Sequence, residues 1–410
     1  IYKAQAEYVY WEKFKHYPLP TEVLHEQMWA YLKFTRLSHQ ELTPTQNTRG
    51  KPFMYTMTKA LYQRLNFIDS YSAGVLHNRA MKPSPSQEAQ LIISGLSEEA
   101  IATSQIEGAN TTQQAAKEMI FSRRRPRNRS EQMVLNSYRM MQRLDIWKHL
   151  PLSKDMLLDI QKTVVAGTLP PEHHDYAGRF RETGENIVVQ DPLTGDIAHV
   201  PPESKIVQNE LDRLVTYANY DEEEDDFIHP VLKASILHFW LAYLHPFGDG
   251  NGRTARAVFH WYLLKKEYWL IQYISVSWAI MQSTKKYDTA FLQTEYDDGD
   301  LTYFMLYIAD AYKTAIRHFI EYLEQKLQER EQSKRLANVF TGFNTRQVSL
   351  LSNLHEHEDE TITVAVYQNQ YGVSRPTANN DLNDLVEKGF LAATRMGRRK
   401  TYMPNTKNIK

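Results

Sequence analysis

Apolar residues recur at helical spacing along most of the chain, and this periodicity predicts a mainly α-helical protein. Helical patterns cover residues 98–121 and a long stretch from Leu301 to about Arg330. Ile187 to Val189 is instead a β-branched run followed by turn-forming residues, which predicts a β-hairpin over residues 178–202. The clearest helical stretch, residues 228–244, carries its apolar positions at Val231, Ile236, Phe239, Trp240, Tyr243 and Leu244.

A glycine-rich loop follows this stretch and runs over residues 245–256 as HPFGDGNGRTAR. Its glycines let the backbone close around an anion, and the helix that follows directs unpaired N–H groups toward the same anion. Arg253 and Arg256 are suited to phosphates, and Asp249 offers a hard oxygen for a divalent cation. His245 is a group that can accept a proton near neutral pH. These residues together predict a phosphate site with acid–base chemistry.

Two common glycine motifs do not fit this loop. A P-loop ends in Gly-Lys-Ser/Thr after a strand, and a dinucleotide fingerprint follows a strand within a βαβ unit. Here a helical pattern precedes the loop, so the loop joins two helices. The simpler alternative is a plain helix–helix turn, which would not require titratable and anion-binding groups in one place.

The loop matches the signature His-x-Phe-x-(Asp/Glu)-Gly-Asn-Gly-Arg-x-x-Arg at every fixed position, so the chain resembles the Fic (Fic/Doc) family. The resemblance implies a Fic/Doc helical core with a β-hairpin flap. It also implies Mg²⁺-dependent transfer of AMP from ATP to a Ser, Thr or Tyr hydroxyl of a target protein, with the chain itself as one candidate target. The base preference for ATP rests on the resemblance alone.

The resemblance further implies a role for each residue of the loop. His245 would be the general base for the target hydroxyl, Phe247 would anchor the loop in the core, and Asp249 would hold Mg²⁺ against the α- and β-phosphates. The implied nucleotide contacts are the anion nest of Gly250, Asn251 and Gly252, with Arg253 at the β-phosphate and Arg256 at the γ-phosphate.

A second motif, TSQIEG over residues 103–108, resembles the family's inhibitory motif (Ser/Thr)-x-x-x-Glu-(Gly/Asn). It lies in the helical pattern of residues 98–121, the predicted inhibitory helix. Glu107 would pair with Arg256, remove the arginine that the γ-phosphate needs, and turn the α-phosphate away from in-line attack. The alternative is an ordinary solvated helix glutamate.

The predicted hairpin of residues 178–202 resembles the flap on which Fic proteins dock the target segment by strand addition. Ile187 and Val188 would line the nucleotide and target site there. Arg179 and Arg181 would either help to bind nucleotide or pair with neighbouring glutamates; the sequence leaves both open. A plain surface hairpin is the simpler interpretation.

Tyr287 falls where related proteins often have aromatic residues near the nucleotide base. Because an aromatic residue at helical spacing is more often part of the core, an adenine contact and a core position are equally favoured for Tyr287.

Residues 340–410 resemble a winged helix-turn-helix domain, with a second helix beginning at Arg375 and two short strands around a basic tip. Such a domain binds DNA or docks to a protein. Asp381, Asp384 and Glu387 on the second helix count against DNA, so both partners are left open. The residues suited to phosphate contacts are Arg375, Arg398, Arg399 and Lys400.

Residues 1–95 resemble the N-terminal helical extension of some Fic proteins, and residues 96–335 would form the Fic domain. The chain of 410 residues has a net charge of −1 and no cysteine, which argues against a generally basic nucleic-acid-coating protein and fits a reducing, cytoplasmic location. No apolar run approaches the ~18 residues of a membrane span. A homodimer is left open, because dimerisation can tune release of the inhibitory helix in this family.

Three functions compete. The first is a protein adenylyltransferase held inactive by Glu107. The second is removal of AMP from a modified protein at the same site, with Glu107 orienting a water molecule. The third is a DNA-binding regulator whose Fic core senses nucleotide; the complete set of catalytic residues counts against it. A phosphorylating relative fits least, because such variants depart from the end of the motif that is complete here.

Overall fold

Helices make up most of the structure, a computed structural model that describes residues 2–72, 85–190, 194–220, 227–339, 342–356, 361–396 and 399–405. Two short 3₁₀ helices lie at Pro171–Tyr176 and Trp269–Gln272. The predicted mainly α-helical class is confirmed. The α-helices are α1 Tyr2–Ala6, α2 Trp11–Phe14, α3 His25–Leu37, α4 Lys59–Ser72, α5 Pro85–Ile106, α6 Gln113–Ser122, α7 Arg129–Trp147, α8 Lys154–Val165, α9 Ser204–Asn219, α10 Pro230–Leu244, α11 Asn251–Lys265, α12 Val276–Met281, α13 Thr284–Tyr296, α14 Thr302–Val339, α15 Thr345–Glu356, α16 Val364–Tyr371 and α17 Arg375–Glu387.

The strands are short and form three small antiparallel sheets in the described part of the chain. β1 (Gln40–Gln46) pairs with β2 (Pro52–Thr56), and β3 (Val189–Gln190) pairs with β4 (Ile197–His199). The third sheet has the order β5-β7-β6, and its strands are β5 Ile362–Thr363, β6 Leu391–Met396 and β7 Arg399–Pro404.

The chain divides into two compact units. The first takes in the described residues within 1–76, 95–111 and 127–316, and the second those within 77–94, 112–126 and 317–410. The sequence predicts residues 1–95 as a separate N-terminal extension, whereas residues 2–72 belong to the first unit and residues 85–94 to the second. The Tyr8 hydroxyl donates to Asp300 at 2.6 Å, for example, and the ring of Phe53 lies 5.2 Å from that of Phe239.

Helix α10 is the centre of the first unit. Pro230 at its first turn needs no N–H partner, and the side chain of His229 accepts a hydrogen bond from the Val231 N–H at the helix start. From Val231 to Leu244 nearly every side chain of α10 is buried, so the helix has no polar face. A helix that is apolar on all sides is a core helix, and α11 packs along it.

The N-terminal extension is not entirely helical, which corrects the prediction from its sequence. β1 and β2 form a hairpin in which Thr43 and Thr45 are buried while Leu42 is exposed, the alternation of a strand with one covered face. The Asn47 side chain accepts two backbone N–H groups in the turn, and Gly50 takes a φ of +75°. The helical interpretation failed because these turn residues interrupt the pattern.

The predicted single inhibitory helix of residues 98–121 is two helices. α5 ends at Ile106, Gly108 follows with a φ of +84°, and α6 begins at Gln113 after the cap at Thr112. The left-handed conformation at Gly108 costs a glycine little and ends the helix. Glu107 therefore stands just beyond the end of α5.

The second unit contains the element order predicted for residues 340–410. α16, a turn at Gly372 and α17 are followed by the β6–β7 hairpin. Its core is formed by Tyr367, Ala378, Leu382, Leu385 and Tyr402, among others. Helix α15 and strand β5 were not predicted, and Arg398 of the predicted basic tip lies outside the described residues.

None of the helices in the described ranges combines the length and apolarity that a membrane span requires.

Candidate active site

The loop of residues 245–250 connects α10 to α11 through two left-handed backbone positions. His245 ends α10 with a φ of +46°, and Gly250 starts α11 with a φ of +84°. Between them, the buried ring of Phe247 stacks on Phe180 at 5.3 Å. The Asn251 side chain closes the loop by donating to the Phe247 carbonyl at 2.8 Å and accepting its N–H at 2.9 Å. The packing of Phe247 and the two hydrogen bonds of Asn251 thus fix the conformation of the loop.

His245 is arranged as a neutral base. Its Nδ1 lies 3.2 Å from the Ala242 carbonyl oxygen, which can only accept, so Nδ1 carries the proton and Nε2 keeps a free lone pair. Burial lowers the pKa of His245 to about 4, and the charge of Glu107 opposes that shift only in part. The imidazole is therefore unprotonated at neutral pH and ready to accept a proton.

Glycines bring other groups close to the head of α11. A Cβ on Gly250 would lie 2.8 Å from Val165 Cγ1, and one on Gly248 would collide with the ring of Tyr176. A Cβ on Gly252 would collide with Glu107 Oε1. The carboxylate of Glu107 thus lies directly against the helix start, where unpaired N–H groups favour an anion.

Glu107 and Arg256 form the ion pair that the sequence predicts. Arg256 Nη2 lies 2.7 Å from Glu107 Oε1, and the arginine also donates to Thr103, from Nε to Oγ1 at 2.7 Å and from Nη2 to the carbonyl at 3.1 Å. Burial opposes ionisation of Glu107, but the charges of Arg256 and Arg253 outweigh it and hold its pKa below the ordinary value. The glutamate is not a solvated helix residue.

Arg253 and Asp249, which the sequence assigns to phosphate and Mg²⁺, lie beside each other. Arg253 Nη2 is 3.2 Å from Asp249 Oδ1, and Nη1 donates to the Val164 carbonyl at 2.7 Å. The buried Nε of Arg253 has no hydrogen-bond partner among the described residues. No cluster of three or more His, Asp or Glu that could hold a metal occurs in those residues. Asp249 would thus need ligands from the nucleotide to complete a metal site.

The flap is present as a short hairpin. Val189 pairs with His199 and Gln190 with Ile197, with an irregular register between them. Ile187 is half-buried and Val188 exposed, and both precede the strand. Residues 191–193 lie outside the described residues. The roles of Ile187 and Val188 stay predictions.

His199 fixes the second flap strand to the core. Its Nε2 lies 2.8 Å from the carbonyl oxygen of Tyr243 and its Nδ1 lies 2.9 Å from Glu295 Oε2. Arg179, earlier in the same segment, pairs with Asp175 and Glu185, one of the two alternatives that the sequence left open.

Tyr287 is 7 % exposed, and its hydroxyl lies 2.7 Å from Nε2 of the buried His238. Its ring packs against Phe291 and Tyr307 in an aromatic cluster. This favours the core position over the contact with adenine. Burial raises the pKa of Tyr287, and the nearby Arg256 opposes that rise, so its hydroxyl faces the arginine of the site.

Gln161 on α8 is a residue of the site that sequence reasoning missed. Its amide donates to the carbonyls of Asp249 at 3.0 Å and Tyr176 at 3.1 Å, and its Oε1 accepts the Gly178 N–H at 2.6 Å. The sequence signal that could have indicated Gln161 is a polar residue on the buried face of α8, beside Ile160 and Val164.

Comparison with known proteins finds similarity to Fic proteins in the fold and over part of the sequence. The fold is similar to that of a Fic family protein from Desulfovibrio desulfuricans G20, with a TM-score of 0.52, 20% identity, and coverage of 86% of this chain and 98% of that one. Residues 151–263 match the model of the Fic/DOC family. This segment of the chain is therefore similar to the Fic/DOC family.

Two curated relatives bear the name "Protein adenylyltransferase Fic". The one from Nematostella vectensis is 30% identical over 120 residues, which is 29% of this chain and 25% of the relative. The one from Culex quinquefasciatus is 31% identical over 154 residues, which is 38% of this chain and 26% of the relative. The matches thus span about a quarter of each relative's length. Glu107 and the C-terminal unit lie outside the matched family domain.

Proposed function

We propose that the chain is a Mg²⁺-dependent protein adenylyltransferase that transfers AMP from ATP to a hydroxyl of a target protein and is held inactive by Glu107. The observation that carries this proposal is the pairing of Glu107 with Arg256 at the head of α11, beside a neutral His245. The match to the Fic/DOC family and the names of its relatives support AMP transfer as the chemistry.

The residues fit a triphosphate and its cation. The glycine cradle at the start of α11 has no room for a Cβ at Gly250 or Gly252, and the unpartnered Nε of Arg253 is buried beside Asp249. Asp249 would hold Mg²⁺, which when bound neutralises phosphate charge and assists departure of pyrophosphate.

His245 performs the proton transfer. Its Nε2 takes the proton of the target hydroxyl as that oxygen attacks the α-phosphorus of ATP, and the bond from the α-phosphorus to the bridging oxygen breaks to release pyrophosphate. The hydrogen bond from Nδ1 to Ala242 keeps the tautomer that this step requires. The product is a target side chain esterified with AMP.

Glu107 blocks this reaction by occupying Arg256. Nε and Nη2 of the arginine donate hydrogen bonds to Thr103 and Glu107. A γ-phosphate would therefore have to displace a buried, charge-assisted pair. The carboxylate also brings negative charge to the position where the phosphates approach the helix. Nucleotide that enters would be misplaced for attack, and misplacement of this kind can cost about 10²-fold in rate.

The test uses ATP labelled on the α-phosphate, Mg²⁺ and the purified chain with lysate proteins. Glu107→Gly should label protein strongly, the wild type weakly, and Glu107→Gly/His245→Ala not at all. Glu107→Gly combined with His174→Ala, which changes an exposed histidine, should label like Glu107→Gly. Absence of label from Glu107→Gly despite ATP binding would rule out the proposal.

Removal of AMP is the second candidate, and one observation favours it. Glu107 is close enough to His245 for its charge to raise the pKa of the imidazole, so the two side chains could together orient a water molecule. Protein labelled by Glu107→Gly serves as the substrate. Wild type should release labelled AMP from it if this candidate holds, and Glu107→Gln should not.

Contact of the second unit with DNA or with a protein stays a prediction. The side chain of Asp381 is buried and accepts from Arg346, and Asp384 accepts from Lys388, so two of the three acids that counted against DNA are paired. A salt-dependent mobility shift of duplex DNA by the full chain, weakened by Arg375→Ala but not by Lys388→Ala, would favour DNA. No shift at low salt would favour a protein partner.

A further inference from the structure

Arg181 is a buried cation whose partners are backbone carbonyl groups. Only 7% exposed, it donates from Nε to the His245 carbonyl at 2.9 Å and from Nη2 to the Leu244 carbonyl at 3.4 Å. Nη2 also donates to the Pro202 carbonyl, at the end of the flap. These contacts differ from both roles that the sequence left open for Arg181, since Nε and Nη2 are engaged with the main chain.

Two of these carbonyls, those of Leu244 and His245, lie where α10 ends and the catalytic loop begins. The last carbonyls of a helix have no partner within it and carry partial negative charge, which a cation stabilises. The backbone N–H of Arg181 adds a hydrogen bond to the Pro246 carbonyl at 2.8 Å. Three successive residues, Leu244 to Pro246, are thus held by one arginine.

His245 needs such support because of its backbone. Its φ of +46° is a left-handed conformation that is unfavourable for a residue with a Cβ and persists only where its surroundings hold it. The direction of the imidazole follows from that backbone, because Nδ1 must reach the Ala242 carbonyl. The arginine holds the carbonyl of the same residue.

We propose that Arg181 is a positioning residue for His245, and that it connects the flap end at Pro202 to the placement of the general base. This inference rests on the proposed function and goes beyond it, because it gives the flap a second role besides docking the target. Arg181 acts through the backbone and does not contact substrate.

Arg179 provides a matched control two residues away. Its guanidinium pairs with Asp175 and Glu185 and covers the ring of Tyr176, and it makes no contact with the His245 backbone. Substitution by lysine keeps the charge at either position but removes the planar fork that can bind several carbonyls at once.

The kinetic test uses the Glu107→Gly chain as the reference. Arg181→Lys should lower kcat for AMP transfer roughly ten- to hundredfold, as expected for a misplaced catalytic group, and leave KM for ATP within about twofold. Arg179→Lys should leave both unchanged. Equal kcat for the Arg181→Lys and reference chains would overturn the inference while leaving the proposed function intact.

A second readout does not depend on AMP transfer. The pKa of His245, followed by the NMR signal of its Cε1–H group and assigned with His245→Ala, starts at about 4 because of burial. Arg181→Lys retains the charge, so a rise toward the ordinary value of about 6.5 would report that the imidazole has left its buried position. An unchanged titration in Arg181→Lys and in the neutral Arg181→Met would overturn the inference, even if no chain transferred AMP.

Discussion

The carboxylate of Glu99 accepts the backbone N–H of Ser277 at 3.0 Å, and it is 3% exposed. The hydroxyl groups of Ser275 and Ser277 donate to the same carboxylate. One turn earlier on α5, a Cβ on Gly95 would lie 2.6 Å from the carbonyl of Tyr273. Helix α5 is therefore fixed to the first turn of α12 and the segment before it, about two turns before Glu107.

Glu99→Ala should raise AMP transfer by the otherwise wild-type chain several-fold. The substitution leaves the Ser277 N–H buried without its acceptor, at a cost of about 1–3 kcal/mol, and loosens the helix that delivers Glu107 to Arg256. Transfer of labelled AMP measures this effect. The double variant Glu99→Ala/Glu107→Gly should be no faster than Glu107→Gly alone, and additive activation would show that Glu99 acts by another route.

Removing Arg256 should distinguish ATP from ADP. In the Glu107→Gly background, Arg256→Ala should weaken ATP binding roughly ten- to hundredfold, the worth of a charge-assisted hydrogen bond of about 1.5–3 kcal/mol. ADP has no γ-phosphate and should bind nearly as before. Calorimetric titration with each nucleotide provides the measurement, and equal losses for ATP and ADP would place Arg256 at another phosphate.

The sequence predicted the mainly helical class and the position of the glycine-rich loop, but not the long-range contacts around that loop. The conformation of the loop from His245 to Arg256 is determined mainly by residues within it, because the left-handed positions, the close-packed glycines and the Asn251 side chain all belong to it. Its contacts with Arg181 and Gln161 join residues more than 60 positions apart, and no local pattern indicates them. The same holds for Glu99, whose partner Ser277 lies 178 positions away.

Elements with weak periodicity were also difficult to predict. The β1–β2 hairpin lies in a region of mixed helical and aromatic pattern, and its identity depends on one turn around Asn47 and Gly50. Tyr287 was ambiguous because a buried aromatic and an aromatic facing a ligand have the same helical spacing. Burial of the ring in an aromatic cluster and the hydroxyl contact with His238 separate the two.

Asp249→Asn should weaken the binding of Mg²⁺ at the site. Because an amide is a weaker ligand for a hard cation than a carboxylate, we expect AMP transfer by Glu107→Gly/Asp249→Asn to fall by about 10²-fold, with a much higher Mg²⁺ concentration for half-maximal rate. Rates across a Mg²⁺ titration measure both. Asp159→Asn, at an exposed position of α8, should change neither. An unaltered Mg²⁺ titration for Asp249→Asn would exclude Asp249 as the ligand.

The pH dependence of AMP transfer should follow the neutral form of His245. Burial lowers its pKa to about 4, so the base is unprotonated above that value and kcat/KM should fall only as the pH drops toward 4. Loss of Glu107 removes a negative charge that raises the pKa of His245. The fall in kcat/KM at low pH should therefore occur at the same pH or a lower one in Glu107→Gly than in the wild type. An acid limb centred at 6.5 or above would mean that the imidazole is solvated during catalysis.

The free energy of unfolding should rise with pH between about 4 and 6.5. Burial lowers the pKa of His238 to about 3 and that of His245 to about 4, while both histidines titrate near 6.5 in the unfolded chain. Over that window the unfolded chain binds more protons, so stability is fully present above pH 6.5 and is lost as the pH falls toward the folded pKa values. Each buried histidine contributes a slope of up to about 1.4 kcal/mol per pH unit.

His238→Gln should reduce the slope of the unfolding free energy against pH by the contribution of one buried histidine. His174→Gln, at an exposed position, should leave the slope unchanged. Tryptophan fluorescence during urea unfolding is a suitable measurement, because all seven tryptophans lie in the first unit and report it alone. The substitution also removes a contact with Tyr287, so the midpoint itself will shift; the pH slope is the quantity that separates titration from packing. An unchanged slope in His238→Gln would mean that the imidazole titrates alike in the folded and unfolded chains, and that the hydroxyl facing Arg256 is not held by a permanently neutral histidine.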